Sequence, residues 1–137
     1  MIFRTENDLE KAAIKFLKKM YFKFSWQVPI YNRMIDLAAV DQKGYLFGIE
    51  FKLRNWKQAI KQAKANLNSF DFVYVCLPGG KYLEELKKEA EELGIGVMIY
   101  DAKIKTIKIE VNAKKVLQQW SPNIKYLKDY LESRGKN

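Results

Sequence analysis

The 137-residue sequence is 48% hydrophobic and 30% charged, with one cysteine, no histidine and a net charge of +9, a balance that suits one globular domain and excludes a disordered or fibrous chain. A lone thiol excludes an internal disulfide, and the absence of histidine excludes Ser/His/Asp, Cys/His and His-ligated zinc chemistry. No run reaches the ~18 apolar residues that cross a bilayer, and "MIFRTENDLEK" lacks the apolar region of a secretory signal, so a cytoplasmic protein without membrane contact is expected.

The first predicted element is a helix in "TENDLEKAAIKFLKKM". Thr5 is a good N-cap with Asp8 at capping-box spacing. Leu9, Ala13, Phe16 and Met20 recur at helical spacing as the expected buried face, with Lys11, Lys15 and Lys18 in a separate positive stripe. "YFKFSWQVPIY" then alternates aromatic and β-branched residues with polar ones, a first strand whose Pro29 demotes its far end to an edge or a bulge. "RMIDLAAV" and "YLFGIEFKL" are two further strands, joined by "DQKG" in a hairpin in which Gly44 takes positive φ.

Asn55 caps a second helix in "NWKQAIKQAKANLNSF", with Trp56, Ala59, Ile60, Ala63 and Leu67 on its apolar side. "DFVYVCLP" shows little alternation, as in a strand buried on both faces. After "PGG" comes an acidic amphipathic helix over 81–93, ended by Gly94. "IGVMIY" and "TIKIEVN" read as two more strands, and the tail, interrupted at Pro122, as two short helices. The expected order is α-βββ-α-β-α-β-β-α-α, an α/β fold with a mixed central sheet flanked by helices. One domain is expected over 1–137, with a core over about 5–77 and a C-terminal α/β extension over about 78–137.

Charge is unevenly spread. Residues 1–64 carry +7, residues 65–102 carry −4 and residues 103–137 carry +6, as in a molecule with one face toward a polyanion and an acidic helix turned away from it. A lysine-rich surface that merely keeps the protein in solution gives the same numbers.

Three charges stand where strands keep apolar residues: Asp36, Glu50 and Lys52. Alternation along "YLFGIEFK" puts Leu46, Gly48, Glu50 and Lys52 on one face, and Gly48 is expected to leave room there for a ligand or another backbone. A hairpin symmetric about Lys43 has facing positions that sum to 86, which sets Asp36 opposite Glu50. Facing carboxylates repel unless something positive lies between them. Hard oxygen ligands with open positions suit Mg²⁺ or Mn²⁺ better than Zn²⁺. The spacing [Asp/Glu]-x-Lys recurs at Asp41-Lys43, Glu85-Lys87 and Asp101-Lys103, but in solvated contexts; a structural ion pair of Lys52 with Asp36 or Glu50 is the competing reading.

Asp36, thirteen intervening residues and then Glu50-Phe51-Lys52, after an N-terminal helix and before a helix-strand unit, resembles the PD-(D/E)xK nuclease superfamily over about residues 5–77. The element order is nearest to archaeal Holliday junction resolvases and small restriction-endonuclease-like proteins, and Ile35 stands where the motif's name has proline. The resemblance implies a restriction-endonuclease-like α-βββ-α-β core and metal-dependent hydrolysis of DNA. Asp36 and Glu50 would hold Mg²⁺ or Mn²⁺ with the Phe51 carbonyl, and Lys52 would position or deprotonate the attacking water. A further carboxylate on the first helix would be Glu6, with Glu10 as the alternative. A glutamine on the second helix would be Gln62, closer to the family pattern than Gln58. Arg33, Arg54, Lys57, Lys61 and Lys64 would contact the nucleic-acid backbone. Cutting two strands takes two sites, so a homodimer is expected by analogy, with Trp120, Tyr126 and Tyr130 as dimer contacts or simple core. The rival from another class is a nuclease-like module that binds nucleic acid without cutting it.

Overall fold

The computed structural model describes residues 3–31 and 33–136. Its elements run α1 (Glu6–Met20), β1 (Lys23–Ile30), β2 (Arg33–Val40), β3 (Leu46–Phe51), α2 (Trp56–Ala65), a 3₁₀ turn (Leu67–Ser69), β4 (Phe72–Leu77), α3 (Leu83–Leu93), β5 (Gly96–Asp101), β6 (Thr106–Val111) and α4 (Ser121–Arg134). This is an α/β fold that begins with an α-βββ-α-β unit. The tail departs from expectation: Pro122 falls in the first turn of a single helix rather than between two, because the first turn has no intrahelical N–H to lose and favours proline's fixed φ.

One six-stranded sheet runs in chain order from β1 to β6. Short turns make β1, β2 and β3 antiparallel; helical crossovers make β3, β4 and β5 parallel; the β5–β6 hairpin is antiparallel again. The two crossover helices, α2 and α3, share one face with α4, burying Ala59, Ile60, Ala63, Leu86, Ala90, Leu127 and Leu131. Consecutive right-handed crossovers along one direction of a sheet require that shared face. The other face carries α1 through Leu9, Ala13 and Leu17.

Thr5 and Asp8 exchange the expected capping-box hydrogen bonds at the start of α1. The buried stripe of that helix differs from the predicted one: Leu17 is fully buried, whereas Met20 is 44% exposed and Phe16 only half-buried, because steps of four from Leu9 keep one line against the sheet. Gly44 in the β2–β3 turn (φ 88°) and Gly94 at the end of α3 (φ 75°) take the left-handed backbone that their positions require. Pro29 lies in β1, which pairs only with β2 among the named strands, so its missing N–H costs no ladder bond. The C-terminal tail closes on the same edge, with Phe24 and Lys136 exchanging two main-chain hydrogen bonds of 2.7 and 2.8 Å. No helix among the described residues is long and apolar enough to cross a membrane.

Candidate active site

The β2–β3 register pairs Leu37 with Ile49, Ala38 with Gly48, Ala39 with Phe47 and Val40 with Leu46. Every pair sums to 86, as the symmetric hairpin requires; the paired stretch ends at Leu37 and Ile49, so the expected Asp36–Glu50 pair lies one step beyond it. Asp36 Oδ2 accepts a hydrogen bond from the Phe51 main-chain N–H at 2.8 Å, which pins its carboxylate at the end of β3.

A distortion in β1 faces Asp36. Trp26 pairs with Leu37 and Val28 with Ile35, but Gln27, between them, makes no pair with Asp36 and has φ 52°. Trp26 and Leu37 belong to the core under α1, while Val28 and Ile35 belong to the core under α2. Strict alternation would keep 35 and 37 on one face, so the β1–β2 ribbon turns over at Gln27 and Asp36. A left-handed non-glycine residue costs about 1–3 kcal/mol and persists only where its surroundings hold it.

The turned Ile35 overturns one expectation. Gly48 leaves no room for a ligand: a Cβ there would meet Ile35 at 2.7 Å and Phe70 at 2.8 Å. The space next to Glu50 is filled by apolar packing.

Glu50 is 3% exposed. Burial, then the Asp36 charge and a hydrogen bond with the Asp36 side chain, push its carboxyl up to about 9, against the opposing pull of the Asp36 backbone and of Lys52. Glu10, on α1, is pushed up to about 7 by burial, Asp36 and Glu6. Burial is the first cause of both shifts, and the neighbouring carboxylates add to it.

Lys52 Nζ lies 3.9 Å from Glu6 Oε2, a partly exposed pair worth little as a structural ion pair. Its main chain is held by the Lys52 N–H to Cys76 carbonyl bond of 3.1 Å. Glu6 thus lies beside Lys52, and Glu10 is near enough to Asp36 to feel its charge.

On the other flank stands Asn66, which sequence reasoning missed. It is 4% exposed; its amide N–H groups donate to the Gln62 carbonyl at 3.0 Å and, more weakly, to Glu50 Oε1 at 3.4 Å. The Gln62 side-chain oxygen is buried without a hydrogen-bond partner. Gln58, by contrast, is exposed and joins the N-cap of α2 through Asn55. Asn66 had one legible signal, its place one helical turn after Gln62, but nothing marked it apart from an ordinary helix end.

The residues expected to touch the nucleic-acid backbone are scattered. The Arg33 guanidinium donates to the Ala65 carbonyl at 2.8 Å, closing the C-terminus of α2. Arg54 is exposed beyond β3, and Lys57, Lys61 and Lys64 are exposed on α2, Lys57 over the Trp56 ring at 5.7 Å. The acidic α3 packs beside α2 on the same face, so the lysine stripe and the acidic helix are neighbours rather than opposite sides.

Among the described residues no three His, Cys, Asp or Glu side chains form a ready metal cage. The donor set is Asp36 with Glu50, hard oxygens that a small divalent cation could complete with water, main-chain carbonyl or substrate oxygens.

Comparison of the sequence with known protein families and with curated proteins finds no match. Among solved structures, the fold is similar to SPO1766, a protein of unknown function from Silicibacter pomeroyi, at TM-score 0.59 and 20% identity over 80% of this chain and 71% of that one. Weaker likenesses are to a repair endonuclease from Pyrococcus abyssi, at TM-score 0.49 and 17% identity, and to an EndoMS-dsDNA complex, at TM-score 0.47 and 16% identity. This chain covers 47% and 45% of those two, which span 71% of it. At such identity the first likeness is one of fold alone, and the two weaker ones add nothing to it.

Proposed function

We propose that this protein is a metal-dependent endonuclease of the PD-(D/E)xK type that hydrolyses DNA phosphodiester bonds. The observation that supports the reading is the Asp36 carboxylate anchored by the Phe51 N–H, the residue between Glu50 and Lys52, with the Asp36 charge acting on the Glu50 carboxyl. A Mg²⁺ or Mn²⁺ ion held by the two carboxylates and the Phe51 carbonyl would supply an acidified water and offset phosphate charge. The chain's own groups do the rest. Lys52, its side chain 17% exposed and drawn toward Glu6, orients the water or takes up its proton. Glu10 adds a carboxyl that can exchange a proton near neutrality, and Asn66 with Gln62 keeps Glu50 turned toward the pair.

Cleavage of labelled DNA with Mg²⁺, Mn²⁺ or EDTA tests this. The parent cuts only with a divalent cation, and Asp36→Asn removes the cutting while leaving binding largely intact. If Asp36→Asn cuts as fast as the parent, the site is misassigned. The lack of a three-residue cage among the described residues favours a second reading, a module that grips nucleic acid without cutting; it predicts binding in EDTA and no cleavage with either metal. A homodimer, with one site per strand, belongs to the proposal and is read by sedimentation.

A further inference from the structure

A cavity of about 420 Å³ lies between α1, β1 and the C-terminal tail, lined by Ile14, Lys18, Trp26, Arg134 and Lys136 among others. Its three cations come from two segments, Lys18 from the end of α1 and Arg134 with Lys136 from the end of α4 and the tail just beyond it, and no acidic residue lines it. None of the three makes an ion pair among the described residues. Arg134 is held over the Tyr130 ring at 5.1 Å, and Lys136 is fixed through its main-chain pairing with Phe24. Such a pocket is built for an anion.

Its position says which anion. Lys18 follows Glu10 by two turns of α1, about 12 Å along the axis, or three to four nucleotide steps at about 3.4 Å per phosphate of one strand. Trp26 lines the cavity and packs on Phe51 at 5.5 Å, and Phe51 is the residue whose N–H holds Asp36. The cavity and the carboxylates therefore lie along one helix and share a wall. The lysines of α2 have the acidic α3 beside them, whereas this side has no acidic helix.

We infer that the pocket of Lys18, Arg134 and Lys136 holds a backbone phosphate of the strand that crosses the Asp36–Glu50 site. The track of the nucleic acid then runs over α1 and the C-terminal tail, not over α2. This rests on the nucleic-acid reading of the site, though not on its hydrolytic chemistry.

The test is anisotropy of a labelled 20-base-pair duplex in EDTA across a salt series, so that no metal-dependent cutting intervenes. Removing one phosphate-binding cation lowers the slope of log K against log salt by about one. Lys18→Ala/Arg134→Ala lowers it by about two, and Lys57→Ala/Lys61→Ala by less than one. A double Lys18/Arg134 variant with the parent's slope overturns the inference, as does a parent that does not bind the duplex. Both side chains are exposed; should the alanine pair misfold, Lys18→Gln/Arg134→Gln keeps the stems and removes the charge. If the slope depends on Lys18 and Arg134 but neither Mg²⁺ nor Mn²⁺ supports cleavage, hydrolysis fails and the phosphate pocket stands.

Discussion

Glu50 is the residue on which charge and burial conflict most. Its carboxyl, raised from 4.5 to about 9, and that of Glu10, raised to about 7, keep protons in the folded state that the unfolded chain has released. For groups raised on folding, stability is full below about pH 4.5 and falls as pH climbs through 7 toward 9. Metal-free protein should therefore melt at lower temperature at pH 8 than at pH 5. Glu50→Gln flattens this decline and is the more stable protein at pH 8, by about 1–3 kcal/mol; a parent with no fall in Tm across that range contradicts the assignment. Asn66→Ala frees Glu50 on one side and leaves cleavage or metal affinity about 10- to 100-fold lower, the usual cost of losing a group that orients a ligand. Gly48→Ala reads the packing beside the site: with Ile35 and Phe70 within 2.8 Å of the new methyl, chemical denaturation should show a loss of about 1–3 kcal/mol. A neutral Gly48→Ala would restore the open space that the sequence suggested.

At the scale of elements, α1 carries Glu6 and Glu10 in its first turns and Lys18 in its last, so under the proposed reading its cap bears on function as well as stability. Thr5→Ala removes the hydroxyl that accepts from the Asp8 N–H at 3.2 Å. It should cost about 1 kcal/mol in urea unfolding and loosen the Glu6–Lys52 approach. The β1–β2 ribbon matters differently. Its hydrophobic alternation is regular in the sequence, yet Ile35 and Leu37 end on opposite faces because Gln27 adopts φ 52°. Nothing in "SWQVPIY" beyond Pro29 announces that turn. It is a tertiary choice, stabilised when Val28 and Ile35 join the core under α2.

For the whole molecule, the sheet brings together residues far apart in the chain, and a cation would tie them further. If Mn²⁺ binds Asp36 and Glu50, a concentration about 100 times its Kd stabilises the folded state by about 2.7 kcal/mol, a rise in Tm of about 10 °C for a chain of this size. Glu50→Ala should abolish the rise. A parent whose Tm ignores both Mn²⁺ and Mg²⁺ removes the metal from the proposal.

Legible in the sequence were the element order through β6, the caps at Thr5 and Asn55, and the 86-sum register of β2 and β3. These follow from local rules: side-chain period, cap chemistry and turn length. The tertiary structure decided what those rules do not reach. It filled the gap at Gly48 with Ile35 and Phe70, used Arg33 to close α2, placed the acidic α3 beside the lysines of α2, and let Pro122 open one helix instead of dividing two. It also drew Asn66 to Glu50, and Lys18, Arg134 and Lys136 around one cavity. Each of these depends on which surfaces meet when helices close over a sheet, and the energy of that meeting is shared among residues too distant in the chain to leave a pattern.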